Sequence, residues 1–170
     1  MEGAMYTKEY IPKRISKLKP NEIFVFGSNL AGMHGGGAAW IAYERFGAIM
    51  GQSVGLQGQN YAIPTMQGEV EIIKPYVDEF VDFAKQHLEY MFLVTKIGCS
   101  IAGFREEEFA PLFYHAIDCK NIFLPKEFDD IIQDIHNRFI ELFDKDADCT
   151  SWWIVQFTRL LQMKEYRDIM

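Results

Sequence analysis

The chain has 170 residues, of which 49% are hydrophobic and 15% aromatic, enough to build the core of a single domain. It carries 17 Lys and Arg against 24 Asp and Glu, a formal net charge of −7. This acidic balance argues against binding duplex nucleic acid, because neutralisation of phosphates by Lys and Arg dominates that affinity. A small anionic ligand remains open, since backbone N–H groups can hold one without any net charge.

The cysteines and the apolar runs indicate the cellular setting. Cys99, Cys119 and Cys149 are odd in number and widely spaced, and no C-x-x-C pair occurs, which argues against a disulfide framework and structural zinc. His87, His115 and His136 fall on predicted helices without metal-ligand spacing, so we expect neither a metal nor a cofactor. Residues 1–5 do not begin like a signal peptide, and no apolar run approaches the ~20 residues of a membrane span. We therefore expect a cytoplasmic protein that does not enter a membrane.

Strand and helix patterns alternate along most of the chain. Short apolar runs predict strands, and stripes of period 3.6 predict helices. The predicted strands are 23–26, 61–64, 91–94 and 122–124; the predicted helices are 38–46, 75–88 and 106–117; residues 47–60 are predicted to be a loop. Such alternation indicates an α/β fold of three layers, in which helices cover both faces of a mostly parallel sheet.

The C-terminal part has a different pattern. A helical stripe is followed by the break at 144–148 and by Trp152-Trp153, which begin a last amphipathic segment. The pattern predicts one domain over 1–170, with a core over 21–126 and a helical hairpin over 127–170 whose aromatic surface packs on the core and can form a homodimer contact. The stripe consists of Ile131, Ile135, Phe139, Leu142 and Phe143.

A glycine-rich loop joins the first predicted strand to the first predicted helix. Gly35, Gly36 and Gly37 stand directly before that helix. Glycines let a backbone approach a phosphate closely, and a helix N-terminus presents unpaired N–H groups with a partial positive charge. The loop therefore predicts an anion site; the alternative is a tight turn that serves helix packing.

The two commonest nucleotide motifs fit this loop poorly. A Walker A loop requires a Lys after its last glycine, and none follows Gly37. A Rossmann loop requires G-x-G-x-x-G and an acid after the second strand, but the glycines stand at 27, 32, 35, 36 and 37, and Thr65 follows that strand.

The loop resembles that of macrodomains, in which a strand, an Asn-containing turn and a glycine run lead into a helix. Gly27-Ser28-Asn29 followed by Gly35-Gly36-Gly37 has this order, and the resemblance is to a divergent bacterial or phage-related group. It implies ADP-ribose or a related small anionic nucleotide as ligand, with Asn29 at the distal ribose and Gly35 to Gly37 along the ribose and phosphates. The alternative for Asn29 is an Asx-turn that shapes the loop. The Gly-Asp-Ile stretch with which macrodomains hold adenine does not occur in residues 1–28.

A second glycine loop follows the third predicted strand and covers 97–104. It resembles the macrodomain loop that wraps the diphosphate and ends in Gly-aromatic. By that likeness, Phe104 lies near the distal ribose, Gly98 belongs to the ligand site, and four further residues offer backbone N–H groups to phosphate: Ser100, Ile101, Ala102 and Gly103. The alternative is an ordinary loop whose Phe104 belongs to the core.

Several side chains are candidates for chemistry. His34 could bind a ribose hydroxyl or, with Asn29, position a water for hydrolysis of an ADP-ribosyl linkage; alternatively it is a capping or solvent-facing histidine. Cys99 at a helix start could be a nucleophile, although a small buried residue is the stronger interpretation. The long loop adds glutamines that could read a base or ribose, or be merely exposed: Gln52, Gln57 and Gln59. Two functions follow: an ADP-ribose binder or hydrolase, or a non-catalytic interaction module that uses the aromatic C-terminal helices.

Overall fold

The computed structural model describes residues 15–143. Within them, strands and helices alternate as the sequence predicts. In chain order the elements are β1 (Glu22–Ser28), α1 (Gly37–Phe46), β2 (Gly55–Gln57), β3 (Asn60–Pro64), α2 (Val70–Gln86), β4 (Met91–Val94), α3 (Glu106–Phe109), a 3-10 helix (Ala110–Ala116), β5 (Ile122–Phe123) and α4 (Lys126–Phe143).

The described strands form one mixed sheet in the order β2-β3-β1-β4-β5. Strands β3, β1, β4 and β5 are parallel, and β2 pairs antiparallel with β3 at one edge. The predicted α/β class and the mostly parallel sheet are therefore confirmed. Strand β2 lies in a segment predicted as a loop, because three residues, of which the first is Gly55, carry no alternation long enough to indicate a strand.

Strand β1 is buried on both faces, since its successive residues point alternately into two separate hydrophobic clusters. Ile23 and Val25 pack with α2, α4 and the 3-10 helix. Phe24 and Phe26 pack with α1 on the opposite face. This arrangement explains why the strand is continuously apolar rather than alternating.

Two predicted helices have different boundaries. The helix predicted from 75 begins at Val70, with Pro75 inside it, because Val70 and Ile73 extend the buried stripe by more than a turn. The helix predicted over 106–117 divides into α3 and the 3-10 helix near Pro111. Proline has no N–H to donate to the carbonyl four residues earlier, and this favours the change.

Helix α4 confirms the helix predicted after residue 126. Its Phe128, Ile132 and Ile135 are buried, so it packs on the core. The second helix of the predicted hairpin, with Trp152 and Trp153, lies outside the described residues. None of the helices within 15–143 is both long and apolar enough to cross a membrane.

Candidate functional site

The two glycine loops meet because of the strand order. Strands β1 and β4 are neighbours, yet α1 leads from β1 to β3 on one side, whereas α3 and the 3-10 helix lead from β4 to β5 on the other. The loops that leave two adjacent strands in opposite directions open a crevice between them, and in open α/β sheets ligands bind in this crevice. Both glycine loops begin at this point.

A cavity of about 510 Å³ occupies the crevice. All but three of the residues predicted for the site line it: Gly27, Ser28, Asn29, Gly35, Gly36, Gly37, Gly98, Ser100, Ile101 and Ala102. The three exceptions are His34, Gly103 and Phe104. Residues that the sequence did not single out also line it: Met33, Ala38, Ala39, Thr65, Met66, Thr95, Lys96 and Ile97.

The glycines of the site differ in whether the fold requires them. A Cβ at Gly98 would lie 2.4 Å from the Phe109 ring, and the φ angle of Gly98 is +77°. A Cβ added at Gly35 would have no heavy atom of the surrounding protein within 4 Å. A Cβ at Gly36 would make an ordinary 3.7 Å contact with Ile101 Cδ1, and its φ of −166° is open to any residue. Neither packing nor backbone conformation thus explains glycine at 35 or 36.

Helix α1 begins at this cavity without a cap. Gly36 is its N-cap residue, no side chain caps the helix, and its first turn carries no acidic residue. The first N–H groups of a helix have no partner within the helix, and its N-terminus carries a partial positive charge. The N-terminus of α1 is therefore suited to an anion at the cavity wall.

Asn29 is used by its own loop. Its Nδ2 donates to the Met33 carbonyl at 2.8 Å, and its Oδ1 accepts from the Met33 N–H at 3.0 Å. The Gly32 N–H also donates to the Asn29 carbonyl at 2.9 Å. These bonds match the Asx-turn interpretation, although Asn29 lines the cavity as well.

Other polar side chains of the cavity are also bonded to backbone. The Ser28 hydroxyl donates to the Ser53 carbonyl at 2.8 Å, and the Thr95 hydroxyl donates to the Val25 carbonyl at 2.9 Å. These bonds tie the ends of β1 and β4 to the segments around them. Ser28 and Thr95 consequently shape the cavity with hydroxyl donors that are already occupied, whereas Ser100 is an exposed polar side chain of the lining.

Lys96 is the one charged side chain that lines the described part of the cavity. Its Nζ lies 2.7 Å from both Glu106 Oε1 and Glu127 Oε1. The hydrogen bonds from Lys96 to these carboxylates raise its pKa. The lysine therefore links the starts of α3 and α4, and its charge is balanced by two opposite charges.

His34 lies beneath the first loop instead of in the cavity. It is fully buried, its ring meets Phe26 edge-on at 5.1 Å, and its Nε2 lies 3.0 Å from the Ile49 carbonyl. A ring nitrogen that faces a carbonyl oxygen must carry the proton and donate it. The remaining Nδ1 has no hydrogen-bond partner within the described residues. A side chain in this position is not placed to orient a water at the cavity, because the ring is enclosed by the loop it supports.

The second loop turns back on itself at its end. The Gly103 N–H donates to the Ser100 carbonyl at 3.1 Å, and the Phe104 N–H donates to the Gly98 carbonyl at 3.0 Å. The Gly103 N–H is therefore taken by the turn. The Phe104 ring packs 5.6 Å from the Phe109 ring, which places it with the hydrophobic core.

Cys99 has the properties of a structural thiol. Burial, followed by the charge of Glu106, raises its pKa to about 11. A thiolate is the nucleophilic form, so this environment opposes nucleophilic catalysis at neutral pH.

The glutamines of the long loop hold that loop together. Gln57 is buried, and its Oε1 accepts from the Ile49 N–H at 2.6 Å. Gln52 donates to the Leu56 carbonyl at 3.1 Å, and Gln59 donates to the Lys19 carbonyl at 2.9 Å. None of the three lines the cavity, so their polar groups serve the backbone of this segment.

A second cavity of about 540 Å³ lies around β5, at the opposite end of the sheet. Its lining includes Lys85, Leu88 and Asn121, and Tyr114 Oη lies 3.0 Å from His136 Nδ1 there. It contains neither a glycine loop nor a helix N-terminus. We therefore assign the candidate site to the crevice between β1 and β4.

Five of the eight residues missed by sequence reasoning share one signal, which is their position directly after a strand. Thr65 and Met66 follow β3, and Thr95, Lys96 and Ile97 follow β4. In a parallel sheet these positions collect at one edge, so knowledge of the strand order would have identified them.

Within residues 15–143, no group of three or more His, Cys, Asp or Glu is placed to hold a metal ion. Comparison of the chain with protein-family models, with curated proteins and with solved structures gives no match.

Proposed function

We propose that the crevice binds ADP-ribose or a closely related nucleotide with an internal diphosphate. The observation that carries this proposal is the pair Gly35 and Gly36, glycines that the fold does not require. Because a side chain at either position would meet little protein, the remaining reason for its absence is the close approach of something else. Uncapped helix N–H groups at the same wall favour an anion.

The dimensions of the crevice support the same proposal. Its volume of about 510 Å³ falls within the roughly 300–1,000 Å³ typical of small-molecule sites. A ligand with one diphosphate can contact both glycine loops at once, since they face each other across the ends of β1 and β4. The helices on both faces of the sheet are compatible with a macrodomain-like arrangement of three layers, which we retain as part of the proposal.

Binding is favoured over hydrolysis. The described lining contains no carboxylate, imidazole or thiol. General acid–base catalysis needs such a group within hydrogen-bond reach of the water or the leaving group. We therefore propose a binding module. Its alternative, an interaction module based on the C-terminal aromatic helices, depends on Trp152 and Trp153, which lie outside the described residues.

The test is a charge placed at the glycine wall. We expect ADP-ribose at a hundred times its dissociation constant to stabilise the wild type by about 2.7 kcal/mol. For a chain of this size, that corresponds to an increase in Tm of roughly 5–10 °C. Gly36→Glu should abolish the shift, because its carboxylate would lie where the diphosphate binds, while its extended backbone tolerates a side chain.

The matched control is Gln86→Glu, which adds the same charge at the exposed end of α2, toward the amino ends of the strands. Differential scanning fluorimetry and calorimetric titration should show wild-type binding for this variant. If Gly36→Glu binds ADP-ribose as the wild type does, or if the wild type does not bind it, the proposal is wrong.

A further inference from the structure

The cavity offers few groups that could identify a base by hydrogen bonding. Both polar atoms of the Asn29 amide are bonded to Met33, and the Ser28 and Thr95 hydroxyls donate to backbone carbonyls. Lys96 is held by two carboxylates. No carboxylate lines the described part of the cavity to accept the amino group of adenine. Apart from the exposed Ser100, a base bound here would thus meet side chains whose donors already make hydrogen bonds or ion pairs.

Three long apolar side chains provide a different kind of contact. Met33, Met66 and Ile101 line the cavity and are 60%, 47% and 69% exposed, respectively. They come from three segments: the first glycine loop, the end of β3 and the second glycine loop. Ile101 Cδ1 also lies 3.7 Å from the positions that a Cβ would take at Gly36 and Gly37, so this side chain of the second loop reaches the first loop across the cavity.

The two ends of a nucleotide diphosphate sugar differ in what they can contact. A ribose carries hydroxyl groups and gains little from thioether or alkyl side chains, whereas a base presents a flat, weakly hydrated face. Methionine is unbranched and polarisable and makes favourable contacts with aromatic rings. The three side chains therefore suit the base.

We propose that Met33, Met66 and Ile101 hold the base by apolar contact and that the site discriminates weakly between purine bases. This proposal rests on the function proposed above and names the ligand class more closely: nucleoside diphosphate riboses irrespective of the purine. A site that hydrogen-bonds a substrate group discriminates against the analogue lacking that group by a factor of about 10⁴–10⁵. A pocket built from apolar contacts discriminates by a factor of only roughly 10–200.

The decisive experiment is a calorimetric comparison of three ligands that share the diphosphate and the distal ribose. These are ADP-ribose and its guanine and hypoxanthine counterparts. We expect their dissociation constants to agree within about tenfold, because each base presents a similar face to the same side chains. Tight binding of ADP-ribose with more than a hundredfold loss for both other ligands would overturn this inference and leave the proposed function standing. Failure of all three to bind would overturn the proposed function itself.

Two variants test the residues. Met66→Ala and Ile101→Ala change exposed side chains, so the fold should be unaffected, and each should weaken all three ligands by a similar factor of roughly ten. Leu88→Ala is the control, since Leu88 is 74% exposed just before β4, away from the crevice, and its removal should leave the affinities unchanged. A loss confined to the adenine ligand, or no loss for any ligand, would contradict the assignment.

Discussion

The same substitution, glycine to alanine, should change the free energy of unfolding differently at two glycines of the crevice. At Gly98 the φ angle is +77°, a left-handed conformation that costs a residue with a Cβ roughly 1–2 kcal/mol. The new Cβ would also lie 2.4 Å from Phe109 Cδ2 and Cε2. Phe109 is fully buried against Phe104, Phe113 and Phe128, so its ring has little room to move.

Overpacking of this kind costs about 1–3 kcal/mol, which brings the expected loss for Gly98→Ala to about 2–5 kcal/mol of unfolding free energy. Gly35→Ala meets no atom within 4 Å and needs no left-handed backbone. It should leave the protein unchanged or stabilise it by about 0.4–1 kcal/mol, since alanine restricts the unfolded chain.

Urea denaturation of both variants, with the slope and midpoint fitted together, measures these differences. Equal free energies for the two variants, or a Gly98→Ala protein within about 1 kcal/mol of the wild type, would refute the distinction between glycines required by the fold and glycines reserved for a ligand.

Three further predictions concern the core and the loops. Burial, with a smaller contribution from Glu79, raises the pKa of Tyr61 from 10.0 to about 12. Because the fold favours the neutral phenol, this contribution to stability is complete below pH 10 and is lost as the pH rises from about 10 to about 12. The loss is at most about 2.7 kcal/mol, and chemical denaturation at pH 8 and 11 should show a weaker pH dependence for Tyr61→Phe; identical profiles would contradict this. At pH 8 the raised pKa of Cys99 should slow its alkylation by iodoacetamide about a hundredfold relative to a cysteine of ordinary pKa. Peptide mass spectrometry measures the rate of labelling, and rapid labelling would show an exposed thiolate. Phe128→Ala should cost about 3–5 kcal/mol in thermal or urea unfolding, because this fully buried ring attaches α4 to the core, and a loss below about 1 kcal/mol would show that α4 contributes little.

The sequence alone determined the features that depend on neighbouring residues. The apolar runs of β1, β3 and β4, the stripe of α4 and the glycine run before α1 each produce their element through local periodicity and backbone preference. The prediction of an anion site at Gly35–Gly37 rests on the same kind of local pattern, because a glycine turn and a helix start are contiguous in the chain.

Contacts between distant segments were decided only by the tertiary structure. The order β3-β1-β4 brings Thr65, Thr95 and Lys96 beside the first glycine loop, and no local pattern specifies which strands become neighbours. His34 had the sequence context of an active-site residue, yet packing against Phe26 and the Ile49 carbonyl buries it completely. Whether a polar side chain in a loop faces a ligand or supports the loop depends on where the rest of the chain folds over it, because burial and hydrogen-bond partners are set by residues far away in the sequence.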